Sequence, residues 1–319
     1  RHGVKFISGN AFTALDVKWS LQRAKTSADF KAIFEPISHA RVIDTHTIDL
    51  ITERPYALLE NLATQLFVMD SHFYQGFDAQ HKAKDAIEKH GHSYASEHAS
   101  GTGPFVVIKR QQGIEVQLQR QANYWDHASV GNVNHINLTP IHDSATRSAA
   151  LLAGDLDLIA PVAPIDHYRI NKQVGMHLFT RDGARLISLQ MNQSSRPELR
   201  DLRVRQAIIY AINNKGIASK IMRGFATPAG QQSPPGYLGH QPQLIPRFDL
   251  QLATNLMAQA GYSKGFRLSM IAPNNRYVND AKIAQAVVIM LSKINIEVEL
   301  VTMPKAQYWQ KYDQGGADL

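Results

Sequence analysis

The residues best suited to metal chemistry are three histidines of one polar segment, His90, His92 and His98, with Glu97 beside the last of them. Imidazole nitrogens are good ligands for zinc, nickel and copper. The segment is weakly periodic, so the sequence shows no buried frame that would fix the geometry of such ligands. A solvated loop whose histidines face water explains the same residues. We therefore predict no metal or cofactor, with these three histidines as the candidates if one binds.

Motifs of the common enzyme classes are missing from the sequence. It contains no G-x-S-x-G elbow, no H-E-x-x-H, no Walker loop and no complete G-x-G-x-x-G. Gly101 and Gly103 resemble part of a phosphate cradle, but Pro104 removes a backbone donor that the cradle would need. The absence of cysteine also excludes disulfides and thiolate chemistry. We therefore predict a protein that is not an enzyme.

Composition and charge narrow the class of protein. The chain has 319 residues, of which 44% are apolar and 19% charged, and these values are ordinary for a globular protein. The net charge of +7 is spread thinly and lacks the basic stripe with aromatic platforms that is typical of nucleic-acid binding. The longest apolar run, residues 286–291, is too short to cross a bilayer. The first residue is Arg1, which suggests a removed signal peptide or a piece of a longer chain.

Apolar spacing predicts alternating strands and helices, which is typical of an α/β protein with a partly parallel sheet. A capping box at Thr13 and Asp16 marks the first helix. Further helices are expected at 143–154, 204–212, 249–260 and 280–294. Strands are expected at 42–52 (a hairpin), 105–109, 114–120, 156–159, 186–191, 267–271 and 296–302. Residues 72–100 are expected to form helix fragments and loop, and residues 231–246 an ordered surface loop.

Side-chain burial can be predicted for some of these elements. The helix at 143–154 is expected to turn Ala145, Ala149 and Leu152 inward. All three tryptophans stand in apolar patterns, which favours core packing for Trp19, Trp125 and Trp309.

Six motifs in chain order resemble those of the family 5 bacterial extracellular solute-binding proteins, the dipeptide- and oligopeptide-binding group. They read GVKFISGNAFTALDVKWS at 3–20, GTGPF at 101–105, RQANYW at 120–125, DSATRSAALLAGDLDL at 143–158, DLRVRQAIIYAI at 201–212 and ATNLMAQAGY at 253–262. Ser8 stands where the family usually has an aspartate. The motifs extend along almost the whole chain.

The resemblance implies an α/β, periplasmic-binding-protein-like two-lobed fold of type II with the extra family 5 subdomain. Family members are longer at both ends, so a partial chain is expected. Residues 1–99 then resemble most of the extra subdomain, 100–189 part of the first lobe, and 190–319 the N-terminal portion of the second lobe. In the peptide-binding branch, an aspartate that pairs with the amino group of the ligand lies beyond the segment that matches the end of this sequence.

The resemblance also implies candidate ligand-binding residues. The segment PNNRY at 273–277 is similar to one whose arginine holds the peptide carboxylate, which makes Arg276 a candidate together with its neighbours Asn275 and Tyr277. A guanidinium fork offers two parallel donors to a carboxylate. The alternative is a surface arginine next to the helix that begins at Asp280.

A second candidate segment resembles a pocket-lining strand of the oligopeptide branch. Within 186–192, Gln190 and Asn192 are candidates for polar contacts with a ligand, and Arg185 precedes them.

The resemblance implies a substrate-binding component of an ABC importer that captures a small peptide or peptide-like solute by lobe closure. It would deliver the solute to permease subunits in the membrane. We expect a monomer located in the periplasm or anchored by lipid outside the cell, with no nucleic-acid partner. A metal or metal-chelate receptor of the nickel type on the same scaffold, and a sensory solute-binding domain, are the alternatives.

Overall fold

The computed structural model describes residues 1–88, 93–128 and 131–319. The chain forms two compact units, Arg1–Pro140 and Ile141–Leu319. The predicted division into three parts stays a prediction. Within the described ranges, no helix is long and apolar enough to cross a membrane.

The first unit combines short helices with two antiparallel sheets. Its helices are α1 (Ala14–Thr26), α2 (Lys31–Phe34), α3 (Leu59–Ala63), α4 (Ser71–Tyr74) and α5 (Tyr94–Glu97). Its strands are β1 (Ile37–Asp44), β2 (Thr47–Thr52), β3 (Phe105–Gln111), β4 (Glu115–Arg120) and β5 (His135–Leu138). β1 and β2 form a hairpin, and β3, β4 and β5 form a second sheet in that order. The predicted hairpin and the predicted pair of strands after Pro104 are confirmed.

The start of α1 shows how a local sequence signal fixes a tertiary contact. The Asp16 carboxylate accepts hydrogen bonds from the backbone N–H of Thr13 at 2.8 Å and from its hydroxyl at 3.0 Å, so the predicted capping box is present. Its other oxygen accepts from the N–H of Ser71 at 2.9 Å and from its hydroxyl at 2.7 Å. One buried carboxylate therefore caps α1 and joins it to α4.

The second unit contains the longer helices and a parallel strand pair. Its helices are α6 (Ser144–Ala153), α7 (His167–Asn171), α8 (Leu202–Ala211), α9 (Asn214–Gly216), α10 (Leu250–Gln259), α11 (Asp280–Ser292) and α12 (Lys305–Asp313). A 3-10 turn (Glu198–Arg200) precedes α8, and a π-helical turn (Ile217–Ile221) follows α9. The strands β6 (Phe266–Pro273) and β7 (Ile296–Met303) run parallel and are joined by α11. The predicted α/β alternation in this region is confirmed.

The core of the second unit lies where α8, α10 and α11 meet the sheet. Val204, Ala207 and Ile208 on α8 are almost fully buried, as the helical spacing predicts. They belong to one cluster with Met257 of α10 and Leu291 of α11. Burial of apolar surface of this kind contributes about 25 cal/mol for each Å² removed from water.

The DLRVRQ motif has a structural role in this core. Asp201 caps α8 by accepting from the N–H of Arg203 at 2.8 Å, and it forms an ion pair with the Arg203 side chain. This arginine lowers the pKa of Asp201 to about 2. Arg203 also donates to the carbonyl of Gln259 at 2.7 Å, which ties the start of α8 to the end of α10. Arg205 donates to the carbonyl of Leu199 at 3.0 Å.

Two predicted strands are wrong. Residues 156–159 and 186–191 have no strand geometry, and Leu158 is 80% exposed. The apolar residues give each segment a tendency toward extended structure, but a strand also needs a hydrogen-bonded neighbour along its length. Among the described residues, the second segment meets such a neighbour only at its end, where the N–H of Asn192 donates to the carbonyl of Asp318 at 2.9 Å.

The predicted inward face of α6 is also wrong. Ala145 and Ala149 are exposed, and the buried side chains of the helix are Ser148 and Leu151. Ser148 donates to the Asp166 carboxylate at 2.9 Å. The buried face of α6 therefore includes a polar contact between Ser148 and Asp166, and the spacing of apolar residues cannot predict such a contact.

We predict that Gly265→Ala destabilises the protein more than Gly261→Ala. Both glycines have positive φ, +73° and +88°, so each substitution carries the left-handed penalty of roughly 1–2 kcal/mol. A Cβ on Gly265 would lie 1.6 Å from the carbonyl oxygen of Asn295, whereas a Cβ on Gly261 meets nothing within 4 Å. The steric clash should add roughly 1–3 kcal/mol for Gly265 alone. Urea unfolding of both variants measures the difference, and equal midpoints would contradict it.

Candidate functional site

The main cleft of the second unit lies at the carboxyl end of β6 and has a volume of about 1540 Å³. Every described residue that lines it falls between 181 and 319, so one unit forms the whole cleft. Its walls are residues 181–192, the loop around 225–246, the end of β6 with Tyr277, and α12. Crevices at the carboxyl ends of parallel strands are the usual ligand sites of open α/β sheets.

The edge of the sheet next to this cleft is formed by the last residues of the chain. Leu319 donates to the carbonyl of Ser269 at 3.0 Å and accepts from the N–H of Ile271 at 3.2 Å, which is the pattern of a parallel pair. Asn192 then bonds to Asp318 on the far side. This edge brings residues 189–192 to the cleft.

Asp318 fastens that edge through its side chain. The residue is 5% exposed, and its carboxylate accepts from the N–H of Ser269 at 2.8 Å and from its hydroxyl at 2.9 Å. Arg196 donates to it at 3.4 Å. Burial raises the pKa of Asp318, but the hydrogen bonds from Ser269, Ser195 and Arg196 outweigh burial and leave the pKa below its ordinary value. The carboxylate is therefore ionised and holds the sheet edge as an anion.

Arg276 and Asn275 occupy the turn between β6 and α11. The Asp280 carboxylate accepts from the N–H groups of Arg276 at 2.9 Å and Tyr277 at 3.0 Å, which fixes the turn. Asn275 accepts from the N–H of Lys305 at 2.8 Å and so anchors the start of α12. Tyr277 lines the cleft, but Arg276 is not among the described residues that line it.

The structure gathers two guanidinium groups around one ring. The guanidinium carbon of Arg276 lies 4.8 Å from the ring centroid of Tyr277, and that of Arg185 lies 5.8 Å from it. The Nε of Arg276 is buried and finds no hydrogen-bond acceptor among the described residues. Arg185 lines the cleft directly. We name Arg185, Arg276 and Tyr277 the arginine corner.

Gln190 and Asn192 also line the cleft, and each already has partners within the chain. Gln190 accepts from the hydroxyl of Tyr312 at 2.5 Å. The Asn192 side chain donates to the carbonyl of Ala317 at 3.3 Å and accepts from the N–H of Ser194 at 3.0 Å. Asn192 therefore stabilises the wall, and a ligand contact by either residue stays a prediction.

The aromatic face of α12 lines the cleft, although none of its residues was predicted to belong to the site. Tyr308, Trp309 and Tyr312 line the cleft, with ring centroids 5.1 to 5.9 Å apart. The expectation that Trp309 lies in the core is wrong, because its side chain is 37% exposed. The signal was present in the sequence. The rest of α12 is polar except for one alanine, so its aromatic residues could not form part of a continuous apolar face.

The loop 231–246 has a defined structure although it forms neither helix nor strand. The side-chain amide of Gln231 donates to the carbonyl of Gln241 at 2.6 Å and accepts from its N–H at 2.9 Å. Gly230 lies so close to Ile245 that a Cβ would come within 2.3 Å of its carbonyl carbon. These contacts at the base of the loop hold its apolar residues against the cleft.

The histidine segment is only partly described. His90 and His92 lie outside the described residues. The His98 ring stacks on Tyr94 with centroids 4.0 Å apart. In the described ranges, no group of three or more His, Asp or Glu side chains is arranged to hold a metal ion.

We predict that Asp318→Asn destabilises the second unit by roughly 1–3 kcal/mol at neutral pH, because an amide cannot satisfy all the donors around Ser269. The pKa of Asp318 is lowered on folding, so its stabilisation is complete above the ordinary value of 3.8 and is lost as the pH falls through the lower folded-state pKa. Urea unfolding from pH 7 to pH 2 should show the variant and the wild type converging. Asp157→Asn, at an exposed position, is the control. A gap that persists at low pH would contradict this assignment.

Comparisons with known proteins show the family to which the chain belongs. The family model described as bacterial extracellular solute-binding proteins, family 5 Middle, matches residues 1–319. The glutathione-binding protein GsiB of Shigella flexneri is 26% identical over 311 residues, which are 96% of this chain and 58% of GsiB. The chain therefore spans less than two thirds of the length of this curated relative.

Solved structures show the same fold. The binding protein AgaA from A. tumefaciens R10, in complex with agropinic acid, superposes with a TM-score of 0.80 at 26% identity, over 99% of this chain and 62% of AgaA. A dipeptide-binding protein from Pseudoalteromonas sp. SM9913, in complex with Met-Leu, gives 0.81 at 21% identity, over 100% of this chain and 66% of that protein. The predicted family and fold class are confirmed. The chain belongs to the family 5 bacterial extracellular solute-binding proteins.

Proposed function

We propose that this chain forms the central part of the substrate-binding component of an ABC importer, and that it captures a small peptide or peptide-like solute bearing a carboxylate. The arginine corner carries this proposal. It places two guanidinium groups at one ring, at the carboxyl end of β6 beside a cleft large enough for a peptide.

The chemistry of the corner suits a carboxylate. A guanidinium is planar, stays ionised and presents paired donors that match the two oxygens of a carboxylate. The buried Nε of Arg276 lacks an acceptor among the described residues, and such a donor gains free energy when an acceptor arrives. Arg185 is the guanidinium that a solute in the cleft meets first.

The ligands of the relatives support the same class of solute. GsiB binds glutathione, AgaA is in complex with agropinic acid, and the Pseudoalteromonas protein is in complex with Met-Leu. All three are small polar molecules with at least one carboxylate. All three ligands thus carry a carboxylate, which is the group that the arginine corner of this chain is suited to bind.

Binding, rather than catalysis, is the proposed activity. A ligand with higher affinity for the closed state shifts the protein toward that state, and no bond is made or broken. We propose that the closed receptor, a monomer in the periplasm or anchored by lipid outside the cell, then delivers the solute to membrane permease subunits.

We predict that Arg185→Ala and Arg276→Ala each weaken ligand binding by roughly 1.5–3 kcal/mol, the contribution of a hydrogen bond to a charged group. Isothermal titration calorimetry of the full-length protein with Met-Leu and with glutathione measures the change. Arg267→Ala is the matched control, because Arg267 pairs with Glu297 at 2.9 Å on an exposed part of the sheet. Unchanged affinity in both Arg185→Ala and Arg276→Ala would remove the arginine corner from the site.

Native mass spectrometry of the full-length protein purified from cells is expected to show a retained solute with the mass of a small peptide. Tight capture by a closed cleft favours such retention. A retained nickel ion or nickel chelate, confirmed by elemental analysis, would contradict the peptide assignment and favour a metal-chelate receptor. Binding without solute uptake in transport assays would favour a sensory domain.

A further inference from the structure

The aromatic residues of α12 form a defined surface on one side of the cleft. Tyr308, Trp309 and Tyr312 are mutually in ring contact, with Tyr308 stacked on Tyr312 at 5.9 Å and the Trp309 and Tyr312 rings perpendicular at 5.5 Å. No residue of α12 is buried, so these rings take no part in the cluster that forms the core of the unit. We name them the aromatic cluster.

The aromatic cluster is held in place and adjoins the arginine corner. The hydroxyl of Tyr312 donates to the side chain of Gln190, which fixes this ring against the segment 189–192. Asn275 accepts from the N–H of Lys305 at 2.8 Å, and Tyr308 follows Lys305 by three residues on α12, so the cluster begins about one helical turn from the segment that contains Tyr277. Burial and the neighbouring Tyr312 and Tyr277 raise the pKa of Tyr308. The aromatic cluster therefore lines the same cleft as Arg185 and Tyr277.

We infer that the aromatic cluster is the subsite for an aromatic side chain on the residue of the ligand that carries the carboxylate. This inference rests on the proposed function. A carboxylate held at Arg185 leaves the side chain on the neighbouring carbon inside the cleft that the aromatic cluster lines. Rings in offset or edge-to-face contact favour another aromatic ring over an aliphatic chain of similar size. The site therefore selects peptides with a C-terminal aromatic residue.

Charge identifies the occupant as the ligand rather than another apolar segment of protein. Arg181 and Arg185 line the same cleft, so a covering segment would bury guanidinium groups together with the rings. Burial of a charge without a partner is costly. A ligand with both an aromatic ring and a carboxylate can place the ring against the aromatic cluster and pair the carboxylate with the arginine corner.

The test compares matched dipeptides on the full-length protein by calorimetry. Ala-Phe should bind about 2- to 12-fold more tightly than Ala-Leu, the range expected for one aromatic contact. Phe-Ala, which has the same composition with the ring on the other residue, should lose this advantage. Tyr308→Leu and Trp309→Leu should each abolish the preference for Ala-Phe, so that the ratio of the Ala-Phe and Ala-Leu affinities falls to about one. Tyr168→Leu, at a position 68% exposed on α7, should keep the preference.

Fluorescence gives a second readout. Acrylamide should quench Trp309 in the ligand-free wild type, and Ala-Phe should protect it, with Trp309→Leu identifying its share of the signal. A Trp309 that is already shielded without ligand would show that other parts of the protein cover the cluster, and would overturn the inference.

In the calorimetric test, equal affinity for all three dipeptides would overturn the inference of an aromatic subsite, while the proposed function would stand. If none of the three dipeptides binds, and neither Met-Leu nor glutathione binds, the inference and the proposed function both fail.

Discussion

The sheet of the second unit depends on one carboxylate at its edge. Asp318 accepts from the backbone and hydroxyl of Ser269, and this contact holds residues 318–319 beside β6. Residues 189–192 reach the cleft because Asn192 bonds to that edge. α12 connects β7 with the same edge, so the position of the aromatic cluster depends on it as well. The candidate site is thus assembled on a buried anion that accepts hydrogen bonds from Ser269 and Arg196.

Local signals predicted much of the fold. The helices α1, α6, α8, α10 and α11 begin where caps or apolar periodicity place them, and the Gly154 and Gly261 stops follow their helices. Such signals act within a few residues, so a single sequence contains them. The predicted strands 156–159 and 186–191 failed because strand structure depends on a distant partner. The same limit applied to α12, whose aromatic face is visible in the sequence while its position beside the cleft depends on the sheet.

The structure brings four of the six candidate residues to one cleft, and a ligand contact by any of them stays a prediction. Arg185, Gln190, Asn192 and Tyr277 line one cleft, as a binding role would require. The sequence could not show that Asn192 and Asn275 use their side chains to brace the cleft walls, or that Arg276 lies beside Tyr277 outside the lining. These facts depend on side-chain geometry across long sequence separations. Of the two arginines in the corner, Arg185 is therefore the stronger candidate for direct contact with a ligand in the cleft.

The motifs that identify the family and the residues that face the cleft are largely different sets. Asp16 and Asp201 are capping residues, and Arg203 joins two helices. Even the departure at Ser8 is structural, since its hydroxyl donates to the buried Asp70 carboxylate, where an aspartate would place a second negative charge. Stability requires these motifs whatever the solute, so they carry the fold. The arginine corner and the aromatic cluster lie outside the buried core cluster, so we propose that they, rather than the family motifs, determine which solute binds.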